Sequence, residues 1–211
     1  MTLPPPHERA GERPPPLVLA SASSARAELL RRAGLSFAVM PAAIDEAEIK
    51  ATFRAERLAA AECANALAEA KAVRVARRHL DSLVIGADQL LVCEGAWFDK
   101  PADRAAARAQ LQSLRGKSHE LLSAVCIVRG SERLWHFVGR STLTMRPFSD
   151  EFLEDYLATA GDDVLGAVGA YRLEAIGIQL FSRIEGEYFA ILGLPLLPLL
   201  DFLRGHGVVA Q

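Results

Sequence analysis

Apolar and polar positions change their period several times along this chain, and the changes mark out its elements. Leu17-Val18-Leu19-Ala20 is continuously apolar between Pro16 and a serine-rich turn, which predicts a short buried strand. The helix predicted next is capped by Ser23 or Ser24, has Glu28 in its first turn and Leu29 and Leu30 on its core face, and closes at Gly34 after Arg31 and Arg32. Residues 42–52 are acidic and read as irregular, whereas the alanine-rich residues 53–79 predict one long helix, or two in line. Residues 83–92 are apolar on both faces, as a strand covered on both sides must be, except for Asp88 at their centre.

Beyond the turn Glu94-Gly95-Ala96 the pattern predicts a helix over 102–114 ended by Gly116, then strands over 121–128 and 134–146 paired as a hairpin through Arg129-Gly130-Ser131. A helix capped by Ser149 follows through residue 158, then a glycine-rich stretch over 161–177, a strand over 178–184 and a terminal helix over 195–204. Helices and strands that alternate irregularly predict an α/β fold with a mixed central sheet flanked by helices. No repeat, linker or charge run divides the chain, so a single domain is expected over residues 17–208. Residues 1–16, with prolines at 4–6 and 14–16 and no apolar core of a signal peptide, read as a disordered extended arm.

Composition narrows the function. A hydrophobic fraction of 51% in 211 residues supports a packed core, and a net charge of −2 provides no global field for nucleic acid, so an anionic ligand must be held by locally placed cations. Free mononucleotides suit this balance better than DNA. Cys63, Cys93 and Cys126 have neither disulfide nor metal spacing and read as buried free thiols of a cytoplasmic protein. The longest apolar stretch, residues 190–200, is interrupted by Gly193, Pro195 and Pro198 and falls short of the roughly 20 residues a membrane span requires.

A bare carboxylate at Asp88 is costly unless it is paired, hydrogen-bonded or bound to metal. Backbone amides at a strand end would satisfy it, and so would service as a general base or metal ligand; the strand pattern leaves these open. Ser21, Ser23 and Arg26 at a helix start, with Lys71 and Lys100, form a candidate phosphate cradle, since helix N-termini and cations both attract phosphate. Taken singly, each of these cations is more often a solvated surface residue. Gly116-Lys117-Ser118 is no P-loop, because Leu111 stands where its first glycine belongs and the triplet follows a helix. No serine-hydrolase elbow, dinucleotide fingerprint or histidine metal spacing is present.

The run from Leu19 to Leu30 resembles the opening motif of the Maf family of nucleoside triphosphate pyrophosphatases. Ile44-Asp45-Glu46, Ala70-Lys71-Ala72, Ile85-Gly86-Ala87-Asp88-Gln89, Lys100-Pro101, Leu114-Arg115-Gly116-Lys117-Ser118-His119, Gly169-Ala170-Tyr171 and Gly193-Leu194-Pro195-Leu196 follow in the family's order. The resemblance implies an elongated Maf/ITPase-like α/β fold with a substrate cleft, a divalent cation (Mg or Mn), a homodimer, and a housecleaning role against non-standard nucleotides. It further implies Asp88 as catalytic carboxylate, Ser21, Ser23, Arg26, Lys71 and Lys100 as phosphate ligands, and Glu46 with Asp88 as metal contacts. Water would then attack the α-phosphorus, with Asp88 taking its proton or binding the metal that activates it, and diphosphate would leave. The motif departs from the family's at Ser24 and Ala25, where a proline and an arginine usually stand. At the specificity positions Gln89 and Glu174 resemble the 7-methyl-GTP branch, while Ala25 replaces that branch's aromatic residue. The rival expectation is a non-catalytic nucleotide-binding regulator of septum formation, a role also associated with the family; a purely structural domain would require these residues to scatter.

Overall fold

The computed structural model describes residues 14–210, so the expectation for the proline-rich arm lies mostly outside the described residues. The chain forms β1 (Leu17–Leu19), α1 (Ser24–Arg32), β2 (Ala38–Val39), α2 (Glu46–Ala55), α3 (Ala60–Ala76), β3 (Leu83–Cys93) and β4 (Ala96–Phe98). It continues through α4 (Arg104–Leu114), β5 (Ser118–Arg129), β6 (Glu132–Met145), α5 (Asp150–Ala160), three short 3-10 segments, β7 (Phe181–Glu185), α6 (Tyr188–Ile191) and α7 (Leu196–Gly205).

The strands form one mixed sheet in the order β2-β1-β3-β5-β6-β7, with β4 also on β3. β1 runs parallel to β2 and β3, and the remaining pairs are antiparallel. β3 reads as continuously apolar because both its faces are covered. Val84 and Leu90 pack with Ala64, Leu67 and Ala68 of α3. Leu83, Ile85 and Ala87 pack with Leu29 and Leu30 of α1 and Leu199 and Leu203 of α7. A third core, around Leu91, Leu111, Leu121 and Leu153, joins α4 and α5 to the far end of the sheet.

One residue governs the fit of α3. A Cβ added at Gly86 would stand 2.0 Å from the Ala68 carbonyl oxygen and 2.8 Å from the Ala72 Cβ. Glycine on the strand and alanines on the helix therefore let the two backbones approach far closer than larger side chains allow. That approach brings Lys71, between Ala70 and Ala72, down onto β3.

Several boundaries depart from the sequence expectation. The acidic residues read as irregular form most of α2: Asp45 is its N-cap, accepting from the Glu48 amide at 2.9 Å, and Glu46 and Glu48 occupy its positive first turn. The long helical stretch breaks at 56–59, where Arg57 has φ 55°, and α3 restarts at Ala60. Ser23 is the cap of α1, and Glu28 lies beyond the first turn, pairing with Arg32 at 2.7 Å. Residues 176–180 are a 3-10 segment, so the strand expected over 178–184 is β7 from Phe181. β2 and β4 are too short to show a period. The hairpin and the buried free thiols are as expected.

Candidate active site

Opposite β5, the edge of β3 is covered in two separate places. β1 pairs with Leu83–Ile85 and β4 with residues 91–93, leaving residues 86–90 paired only to β5. A cleft of about 420 Å³ opens beside this gap, lined by Ser23, Arg26, Glu46, Lys50, Lys71, Asp88, Gln89, Asp99 and Lys100 together with the Gly166–Glu174 region. The gap leaves strand backbone unpaired, and Arg26 caps part of it by donating to the Ala87 carbonyl at 3.0 Å.

Asp88 is 5% exposed and shares the sheet face of Val84 and Leu90, under α3. Lys71 Nζ donates to Asp88 Oδ1 at 2.5 Å and lies 2.8 Å from Glu46 Oε1, so one ammonium joins two carboxylates. Asp88 Oδ2 is buried and has no hydrogen-bond partner among the described residues. A buried carboxylate oxygen left bare is expensive to maintain and marks a place for a ligand.

The other cations are held differently. Arg26 donates from Nε to the Gly193 carbonyl at 2.8 Å and from Nη1 to Ser21 Oγ at 3.1 Å as well as to Ala87, while Nη2 makes no hydrogen bond among the described residues. Burial lowers its pKa, opposed by the charges of Asp88 and Glu46. Lys100 lines the cleft and makes no ion pair or hydrogen bond among the described residues. Desolvation, then the neighbouring Arg26, holds its ammonium below the usual lysine value. Burial pushes Glu46 up, but the Lys71 hydrogen bond and the charges of Lys71, Lys50 and Arg26 outweigh it and hold the carboxyl below its usual value.

The fold thus gathers Ser23 and Arg26 from the start of α1 with Glu46, Lys71, Asp88 and Lys100 from distant parts of the chain around one cavity. Ser21 stands behind the wall, 5% exposed, and accepts hydrogen bonds from Arg26 and the Ser23 amide. Gln89 faces the opposite side of β3 from Asp88; its Nε2 donates to Ser123 Oγ and to the carbonyls of Ala190 and Ile191. Glu174 accepts from Arg172 at 3.0 Å and borders both the cleft and a neighbouring apolar pocket, whose lining contains Ala25. Sequence reasoning missed Lys50, Asp99 and Arg172. Lys50 is four residues after Glu46, a spacing that places both on one face once α2 is recognised as a helix.

No group of three or more metal-ligating acids, histidines or cysteines occurs among the described residues. The available donors are Asp88 Oδ2, bare, and Glu46. Arg26, Lys50, Lys71 and Lys100 face Glu46, Asp88 and Asp99, an excess of one positive charge against the several negative charges of a polyphosphate. A hard cation held by one or two carboxylates and by the ligand's own oxygens fits this donor set. No helix among the described residues is long and apolar enough to cross a membrane.

The profile of the family described as "Maf-like protein" matches residues 16–206. A nucleoside triphosphate pyrophosphatase of Granulibacter bethesdensis is 58% identical over 190 residues, covering 90% of this chain and 96% of the relative. A second of that name, from Paramagnetospirillum magneticum, is 55% identical over 90% of this chain and 98% of its own. A 7-methyl-GTP pyrophosphatase of Rhizobium meliloti is 49% identical over 92% of this chain and 98% of its own.

Proposed function

The chain belongs to the Maf-like family, and from that premise we propose that it is a nucleoside triphosphate pyrophosphatase, cleaving between the α- and β-phosphates to release a nucleoside monophosphate and diphosphate. The observation that carries this reading is the Asp88–Lys71–Glu46 chain, with its unpartnered carboxylate oxygen, in a cleft lined by Arg26, Lys50 and Lys100.

The polyphosphate is held by Lys71, Lys100, the free Nη2 of Arg26 and the Ser23 hydroxyl at the start of α1, with Ser21 fixing Arg26 from behind. Water attacks the α-phosphorus as the new P–O bond forms and the bond to the β-phosphate bridge oxygen breaks; Asp88, whose one bare oxygen is Oδ2, either takes the water's proton or would hold the metal that activates the water. The electron pair leaves on diphosphate, whose added charge the cations stabilise. Asp88 and Glu46 would hold a divalent cation (Mg or Mn), which supplies Lewis-acid polarisation of the phosphoryl oxygens when bound.

Glu174 supports a guanine-type base, since a carboxylate accepts hydrogen bonds from a guanine edge and its charge favours the cationic ring of 7-methyl-GTP. This agrees with the 49% identity to a relative of that name. The role proposed is removal of modified nucleotides, by a cytoplasmic homodimer with no nucleic-acid or membrane partner; size-exclusion chromatography with light scattering tests the dimer.

The experiment is diphosphate release by the purified protein with Mg or Mn across the common nucleoside triphosphates and 7-methyl-GTP, with Asp88→Asn as control. Turnover that the control loses supports the reading, with the best substrate identifying the base. Absence of turnover on every nucleotide overturns it.

A further inference from the structure

We propose that the ion pair between Lys50 and Asp99 straps α2 to the connection between β4 and α4, and that through it Lys50 positions Lys100 for the triphosphate. The inference rests on the pyrophosphatase reading above and assigns a role to two cleft residues that take no part in the phosphate or proton contacts of that reading.

Lys100 is the least supported cation of the cleft. Without an ion pair or hydrogen bond among the described residues, its side chain goes where its backbone directs it. That backbone is fixed on both sides. Pro101, buried, has a set φ and restricts Lys100 to extended conformations. Asp99 is clamped: its Oδ1 lies 2.6 Å from Lys50 Nζ, its Oδ2 lies 3.6 Å from Arg54 Nη2, and its carbonyl accepts from Gln110 Nε2 at 2.8 Å. Arg54 itself lies over the Trp97 ring of β4, 5.2 Å from the centroid. Two cations one helical turn apart on α2 therefore converge on a single carboxylate across the cleft.

The same ammonium reaches back toward the reacting end. Lys50 Nζ is 3.9 Å from Glu46 Oε2, and Glu46 bonds Lys71, so the strap continues into the Asp88 chain. Its lysine side chain is only 13% exposed although its aspartate is 52% exposed. Partly exposed ion pairs contribute little to stability. A carboxylate lining a cleft meant for a polyanion repels its ligand, and its presence there requires another reason. Placement of Lys100 is that reason.

For Asp99→Asn, charge alone and the strap predict opposite signs, which makes the test sharp. Diphosphate release with Mg and the preferred triphosphate is measured for the wild type, Asp99→Asn, Lys50→Met, the double variant and Lys50→Arg, with KM and kcat resolved. The strap predicts that each neutralisation raises KM about tenfold with kcat within about threefold, and that the double variant is no worse than either single one. Lys50→Arg restores KM, and thermal midpoints stay near the wild type. A KM for Asp99→Asn equal to or below the wild-type value overturns the proposal, and so do additive effects, which would mean that Lys50 acts on the nucleotide directly. Calorimetric binding of the Mg complex of an α,β-methylene triphosphate to the same proteins gives the same pattern in Kd. A wild type that binds this analogue and shows the pattern, yet never turns over substrate, refutes the pyrophosphatase reading while leaving the strap intact; an unchanged Kd in Asp99→Asn refutes the strap.

Discussion

Lys71 Nζ lies 2.5 Å from Asp88 Oδ1, and both residues are more than nine-tenths buried. A buried pair of this kind contributes little net stability, because desolvating two ions offsets their attraction, whereas losing one partner strands the other charge. The pair is therefore best explained by chemistry.

Asp88→Asn is expected to separate activity from stability. Lys71 keeps Glu46 as partner, so the thermal midpoint changes by only a few degrees, while kcat falls by about three orders of magnitude or more with loss of the proton acceptor. Near-wild-type turnover in the steady-state assay would sink the assignment.

Lys71→Met has the converse signature. It leaves Asp88 uncompensated beneath α3, at an expected loss of about 3 kcal/mol in urea unfolding as well as of triphosphate affinity. Equal unfolding midpoints for variant and wild type would refute it.

Gly86→Ala tests the close approach of α3 to β3. A Cβ 2.0 Å from the Ala68 carbonyl oxygen forces the helix outward and carries Lys71 with it. Overpacking of this type costs about 1–3 kcal/mol. Both stability and kcat should fall, and a variant that is destabilised but fully active would show that Lys71 placement tolerates the shift.

Glu46→Gln is expected to raise the Mg concentration for half-maximal turnover by at least about tenfold while keeping the fold, since Glu46 lies partly exposed at the cleft and shares the Lys71 ammonium with Asp88. A Mg titration of activity reads it directly, and an unchanged midpoint removes Glu46 from the metal's contacts.

His119, behind the cleft-lining Tyr171, gives the protein a pH dependence of its own. Its ring is 2% exposed, Nε2 lies 2.7 Å from the Tyr171 hydroxyl, and desolvation lowers its pKa to about 4. A base whose folded pKa lies below its unfolded value binds protons preferentially when unfolded. Stability is therefore full above the unfolded pKa of about 6.5 and declines as pH falls toward 4, by up to about 3 kcal/mol at the lower end. Thermal midpoints measured from pH 7 to 4 should decline less steeply in His119→Asn than in the wild type; parallel curves would show that other groups govern the decline.

Much of this protein was written locally. The apolar run of β3 with its lone Asp88, the Arg129-Gly130-Ser131 hairpin and the serine cap of α1 follow from period and capping, which act over a few residues, and so they were legible in the sequence. The acidic start of α2 was misread because helix-capping acids and irregular acidic loops have similar composition until the helix behind them is recognised. What no local rule reports is the break in the edge of β3 between β1 and β4: β4 folds back on β3 through the local turn Glu94-Gly95, but β1 reaches the other part of that edge from far along the chain, and only the assembled sheet leaves the residues between them uncovered. That gap, and the glycine–alanine contact that lowers α3 onto it, decide that Lys71, Asp88 and Glu46 meet. Long-range packing also decides that Lys50 and Arg54 converge on Asp99. The sequence by itself determined the elements and the chemical groups; the tertiary structure decided which charges share one cavity, since electrostatic pairing depends on distance in space and not on separation along the chain.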